Sequence, residues 1–163
     1  MPNAFRRRAA VKPRRVIDAC VIIAAPVEQN AACSDYLTGL GVQHHGFLTH
    51  ALVGEVVQGM YKHTETALRL SLYRYFDNLL LAGLLSILPV REISHEEVAR
   101  LRANLPFLSL ADAVHLAETL EQGFLEFVTI DRELTNRRNR ERLSELGLKI
   151  VVPRGSSPEP IRW

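Results

Sequence analysis

Four carboxylates carry the chemistry open to this chain of 163 residues. Asp18 interrupts an otherwise apolar run, Val16 to Ile23 (VIDACVII). A charge there loses its hydration unless a cation or strong hydrogen-bond donors hold it. A strand-end aspartate capping the following turn is the alternative for the same residue. Asp131 closes a second apolar run, EFVTI, and opens the turn Asp131-Arg132-Glu133; a surface turn aspartate is its bland counterpart. Asp112 stands three residues after Ser109, the place of a capping-box acid that complements a helix dipole. It lies outside the apolar stripe Leu110, Ala113, Ala117 and Leu120, so it is also free to face a cleft. Glu55 sits at the margin of an apolar helix face, with Gly54 and Gly59 nearby permitting close approach of another segment. Hard oxygen donors without a His or Cys cluster suit Mg²⁺ or Mn²⁺ better than zinc. Such an ion would offset the repulsion among the acids, activate water and stabilise the leaving oxygen in phosphodiester cleavage.

Other chemistries lack their signatures. There is no H-E-x-x-H, no paired cysteine motif, no G-x-x-x-x-G-K phosphate loop and no nucleophile signature. His44, His45, His50 and His63 are expected to be solvated or to face a polyanion rather than a metal. Cys20 and Cys33 read as buried thiols in a reducing, cytoplasmic setting. The apolar run Leu79 to Leu88 is far short of the ~20 residues that span a bilayer, so no membrane association is expected. The basic N-terminus lacks the apolar stretch of a secretory signal.

The elements that must position the acids alternate. Val16 to Ile23 reads as a buried parallel strand, followed by a short helix from about Ser34 to Leu40. Helices follow at His50 to Lys62 and at Glu65 to about Leu84. Leu85 to Val90 is a second strand, and Ser94-His95-Glu96-Glu97 opens a helix that stops before Pro106. A helix from Ser109 to Gln122, a strand Glu126 to Ile130, a helix Leu134 to Leu146 and a strand Lys149 to Val152 complete the series. This order predicts an α/β/α sandwich around a mostly parallel sheet, with ligands bound beyond the carboxyl ends of the strands. Thr129, two residues before Asp131, shares its face of the strand.

Charge is distributed unevenly. The net is +2, yet residues 1–15 hold six basic groups and no acid. The chain therefore divides into a basic arm (1–13), one domain (14–153) and a loose tail (154–163). Arg132, Arg137, Arg138, Arg140 and Arg142 cluster just after Asp131, where a solvated helix face and contact with RNA phosphates are equally open readings. Between Leu68 and Leu88, apolar residues surround the expected helix instead of marking one stripe, which predicts core burial or a protein-binding surface.

Four segments together resemble the motifs of the PIN domain, and within it the VapC-type toxins. They are Val16-Ile17-Asp18 with the apolar run behind it, Thr49 through Glu55 to Val57, Leu108-Ser109-Leu110-Ala111-Asp112-Ala113, and Val128-Thr129-Ile130-Asp131. Ala19 and Cys20 depart from the hydroxyl or amide side chains that many members carry after the first aspartate. The resemblance implies a PIN-like α/β/α fold and Mg²⁺- or Mn²⁺-dependent RNA hydrolysis, with ligation by Asp18, Glu55, Asp112 and Asp131. It further implies a cognate antitoxin and a homodimer. Thr129 and Glu133 are expected as auxiliary groups from their position. A stand-alone RNA-processing nuclease and a non-catalytic scaffold are the alternative functions.

Overall fold

The computed structural model describes residues 11–62, 65–92 and 95–155. The basic arm, apart from its last three residues, and most of the tail lie outside these, as do His63 and the Ser94 cap. Five short strands form one all-parallel sheet: β1 (Arg14–Ile17), β2 (His45–Leu48), β3 (Leu85–Ile87), β4 (Glu126–Val128) and β5 (Lys149–Val151). Their order across the sheet is β3-β2-β1-β4-β5, so the chain starts in the middle, moves outward twice and returns to the other side of β1. Val16, Ile17 and Val128 are fully buried, which fits a central parallel strand pair covered on both faces.

Helices make the connections. α1 (Ala19–Val27) and α2 (Ala31–Thr38) link β1 to β2, and α3 (His50–Tyr61) and α4 (Thr66–Leu81) link β2 to β3. α5 (His95–Asn104) and α6 (Leu110–Glu121) cross back to β4, and α7 (Arg132–Thr135) and α8 (Arg137–Glu145) lead to β5. Parallel crossovers are right-handed, so reversing direction at β1 places α1–α4 on one face and α5–α8 on the other. The result is the α/β/α sandwich expected from the sequence.

The expected strand Leu85 to Val90 ends at Ile87, and three other expected elements differ in kind. The run Val16 to Ile23 is not one strand: it ends at Ile17, Asp18 caps α1, and Val21, Ile22, Ala24 and Ala25 are buried as a helix. An unbroken apolar run fits a buried strand or a buried helix equally, and the polar Asp18 marks the border. The helix Leu134 to Leu146 is two, because Asn136 leaves helical geometry (ψ 135°) and its side chain accepts from Arg138 N–H at 2.9 Å to start α8. α4 is less uniformly apolar in its surroundings than the sequence suggests: Leu72, Phe76 and Leu79 are buried, whereas Leu70 is 53% and Leu81 85% exposed. Core packing thus accounts for one face of the helix.

Candidate functional site

β1 and β4 are neighbours whose onward connections leave in opposite directions, the arrangement that opens a crevice beyond their carboxyl ends. Asp18 follows β1 immediately. Its backbone N–H donates to Val128 carbonyl oxygen at 2.9 Å, which fixes it against β4. Thr129 hydroxyl donates to Asp18 Oδ2 at 2.6 Å, and Cys20 N–H approaches Oδ1 at 3.4 Å as α1 begins. Burial pushes the Asp18 carboxyl above its ordinary value of 3.8, against the opposing pull of these donors and of nearby His115. The aspartate is therefore both a helix cap and a charge in an unfavourable place, so the two sequence readings coexist.

The departure at Ala19 and Cys20 is met from across the sheet. Thr129, fully buried, supplies the strong donor that the residues after Asp18 do not, and its oxygen also accepts Asp131 N–H at 3.0 Å. One hydroxyl thereby joins both strand-end aspartates. Cys20 Sγ lies 3.4 Å from the same Thr129 oxygen. Burial, reinforced by the charge of Asp18, raises the Cys20 thiol above its ordinary 9.0, so it stays protonated.

Asp131 caps α7: Oδ1 accepts Glu133 N–H at 2.7 Å and Leu134 N–H at 3.1 Å. The residue is exposed, and its Oδ2 has no hydrogen-bond partner among the described residues. Glu133 enters this network through its backbone, while its side chain is exposed to solvent.

Glu55 and Asp112 arrive from the two helical layers. Thr49, buried after β2, accepts Leu52 N–H at 3.3 Å and sets the start of α3, which carries Glu55 one and a half turns later. Gly59 on the same helix lets α1 close in, since a Cβ there would meet Ile23 Cδ1. Ser109 and Asp112 form a reciprocal capping box on α6, with Ser109 hydroxyl to Asp112 Oδ2 at 2.6 Å and Asp112 N–H to Ser109 Oγ at 3.1 Å. One turn further along α6, His115 Nε2 lies 2.9 Å from Glu55 Oε1. His115 was not singled out from the sequence. Its separation of three from Asp112 places both on one side of a helix, which was the available signal.

His44 corrects the expectation of solvated histidines. It is buried, stacks on Tyr36 with 4.2 Å between ring centroids, and burial, aided by Arg15, lowers its pKa. His45 and His50 are exposed as expected.

Solved structures of similar shape exist. FitAcB from Neisseria gonorrhoeae has a TM-score of 0.63 at 17% identity, over 85% of this chain and 97% of the other. VapBC2 from Rickettsia felis, solved bound to a DNA fragment from its promoter, has a TM-score of 0.62 at 12% identity, covering 85% and 98%. A toxin–antitoxin complex from Klebsiella pneumoniae has a TM-score of 0.56 at 17% identity, covering 86% and 98%. The fold is PIN-like. No family model and no curated protein matches the chain.

The PIN-like fold brings Asp18, Thr129 and Asp131 into one hydrogen-bonded chain, and Glu55 and His115 into another beside Asp112. His115 is also among the groups that favour the ionised form of Asp18. Among the described residues, no three Asp, Glu, His or Cys side chains converge as they stand on a point that would hold one metal ion. The donor types nevertheless fit a hard divalent cation: all four acids offer carboxylate oxygen, and the poorly hydrated charge of the half-buried Asp18 is one that a cation would relieve. No helix among the described residues is long and apolar enough to cross a membrane.

Proposed function

We propose that the chain is a divalent-metal-dependent endoribonuclease of the PIN-domain family, acting as the toxin of a toxin–antitoxin pair. The observation that carries this reading is the half-buried Asp18 at the β1/β4 crevice, its carboxyl pushed up by loss of hydration and tied through Thr129 to Asp131. The similarity in fold to VapBC2 and to a toxin–antitoxin complex supports the toxin role. Asp18, Glu55, Asp112 and Asp131 would hold Mg²⁺ or Mn²⁺. When bound, such an ion supplies a nucleophile from water and offsets charge developing on the scissile phosphodiester.

The chain's own groups do the positioning. Thr129 holds Asp18 Oδ2 and steadies the backbone of Asp131, Ser109 holds Asp112 Oδ2, and His115 holds Glu55 Oε1. Arg132, Arg138 and Arg140 are exposed after Asp131 and offer cations to an RNA backbone; Arg137 is pinned to Glu141 at 3.0 Å. The cognate antitoxin and a second copy of the chain are proposed to cover the exposed Tyr61, Leu70 and Leu81 on α3 and α4.

A non-catalytic PIN-like scaffold is the second reading, favoured by the lack of a ready-made triple ligand set among the described residues. One experiment separates the two. Mn²⁺ or Mg²⁺ is expected to raise the melting temperature of the wild type, since an ion bound by the folded state alone stabilises it by mass action. The joint change of Asp18, Glu55, Asp112 and Asp131 to Ala should abolish that response together with cleavage of a structured RNA. Equal responses in the two proteins, or cleavage that persists in EDTA, would overturn the proposal.

A further inference from the structure

We propose that His115 is a positioning residue of this site: it fixes Glu55 through Oε1 and leaves Oε2 for a cation. The inference rests on the metal-binding reading above. An ionised carboxylate can only accept, so the proton shared at 2.9 Å belongs to Nε2. Glu55 Oε2 has no hydrogen-bond partner among the described residues. The contact crosses the crevice, because Glu55 belongs to the α1–α4 layer and His115 to the α5–α8 layer. It links the two layers beyond the sheet, close to Asp18.

The environment argues that the ring is there for this bond. The His115 side chain is 8% exposed against 42% for Glu55, so a buried, packed ring holds a partly exposed carboxylate and not the reverse. Its other nitrogen, Nδ1, is buried with no partner. An apolar side chain would fill the same space with no orphaned polar atom, so the ring carries a polar cost that only the Glu55 contact offsets. The backbone beneath it is also tied, with Thr119 hydroxyl donating to His115 carbonyl oxygen at 2.7 Å. A residue that orients a metal ligand from behind typically changes metal affinity by about 10–100-fold when removed.

The test measures Mn²⁺ affinity by electron paramagnetic resonance of the free ion, in the wild type and in His115→Leu, His115→Gln and His115→Asn, with metal-free melts beside it. Leu keeps the volume and removes the donor; Gln carries its amide nitrogen where Nε2 stands; Asn is too short to reach Glu55. His115→Leu and His115→Asn should weaken Mn²⁺ by about 10–100-fold, and His115→Gln should recover most of the loss. The metal-free melting temperature of His115→Leu should hold or rise, which a purely structural histidine would not allow. If Leu fails to fold, the contrast between Gln and Asn carries the result. Wild-type affinity in Leu and Asn, or a Gln variant as weak as Asn, overturns the role of His115 alone. A folded wild type that binds no Mn²⁺ overturns the metal site itself and this inference with it.

Discussion

Asp18→Asn separates the two roles that the structure gives this residue. As a cap for α1 the change is close to neutral, since Asn and Asp rank together at that position. The hydrogen bonds survive in rearranged form: the amide oxygen accepts Cys20 N–H, and the amide nitrogen donates to Thr129 Oγ1, whose own proton turns to Cys20 Sγ. What is lost is the charged character of the Thr129 contact, about 1 kcal/mol, given ~1.5–3 kcal/mol for bonds to charged groups and ~0.5–1.5 for neutral ones. Against this stands the raised pKa. Because the folded state favours protonated Asp18, its contribution to stability is fully present below the ordinary value of 3.8 and is lost as pH rises through the folded value. At neutral pH the ionised carboxylate therefore weakens the metal-free fold, and Asn removes that weakness. The two effects oppose each other to within about 1 kcal/mol, which for a domain of this size is a shift of roughly 2–4 °C in melting temperature. Cleavage of RNA with Mn²⁺ should fall by about a hundredfold or more, equivalent to ~2.7 kcal/mol of lost transition-state stabilisation. Metal-free thermal melts and a fluorogenic RNA assay read the two halves independently. A variant that melts more than ~10 °C lower while cleaving at the wild-type rate would show that Asp18 serves only the fold.

Two further outcomes concern the framework. Gly46→Ala in β2 should cost about 1–3 kcal/mol in urea denaturation, because its Cβ would stand 2.6 Å from Leu85 Cδ2, 2.7 Å from Leu40 Cδ2 and 2.8 Å from Ile17 Cδ1; an unchanged midpoint would mean that β2 packs more loosely than described. Glu126 is partly buried, which raises its pKa, but Lys149 at 2.8 Å and Arg15 at 2.5 Å outweigh burial and hold it below the ordinary 4.5. Its stabilising contribution is present above 4.5 and lost as pH falls through the depressed value, so Glu126→Gln should flatten the loss of stability on acidification, and identical acid profiles for variant and wild type would refute the pairing.

The positions of the four acids were legible because each stands at a boundary that composition marks: the end of an apolar run for Asp18 and Asp131, a capping box for Asp112, the margin of an amphipathic face for Glu55. What joins them was not. The bond from Thr129 to Asp18 spans 111 residues of chain, and nothing local in either segment encodes it. The alternation rule placed Thr129 on a face with Asp131, but the hydroxyl instead bridges from Asp131 N–H to Asp18, because β4 ends at Val128 and the chain turns. His115 stands among the buried Ala113, Leu116 and Ala117, and neither its type nor its spacing shows what the ring touches across a crevice. The strand-to-helix change at Asp18 and the break at Asn136 were hidden for a related reason: residue type gives the preference for a cap, but only packing decides which preference is used.

The strand order has a consequence for how the molecule is made. β1, the central strand, which Asp18 follows directly, needs β4 as its second neighbour, and β4 begins only at residue 126. During synthesis the first three strands can pair as β3-β2-β1 well before that point, leaving Val16 and Ile17 on an open edge. Such an edge is a template for pairing with other chains until it is covered. A nascent or truncated chain ending before β4 thus has both an aggregation-prone border and an Asp18 without its Thr129 donor, so solubility and the assembled carboxylate site should appear together, late, and in one step.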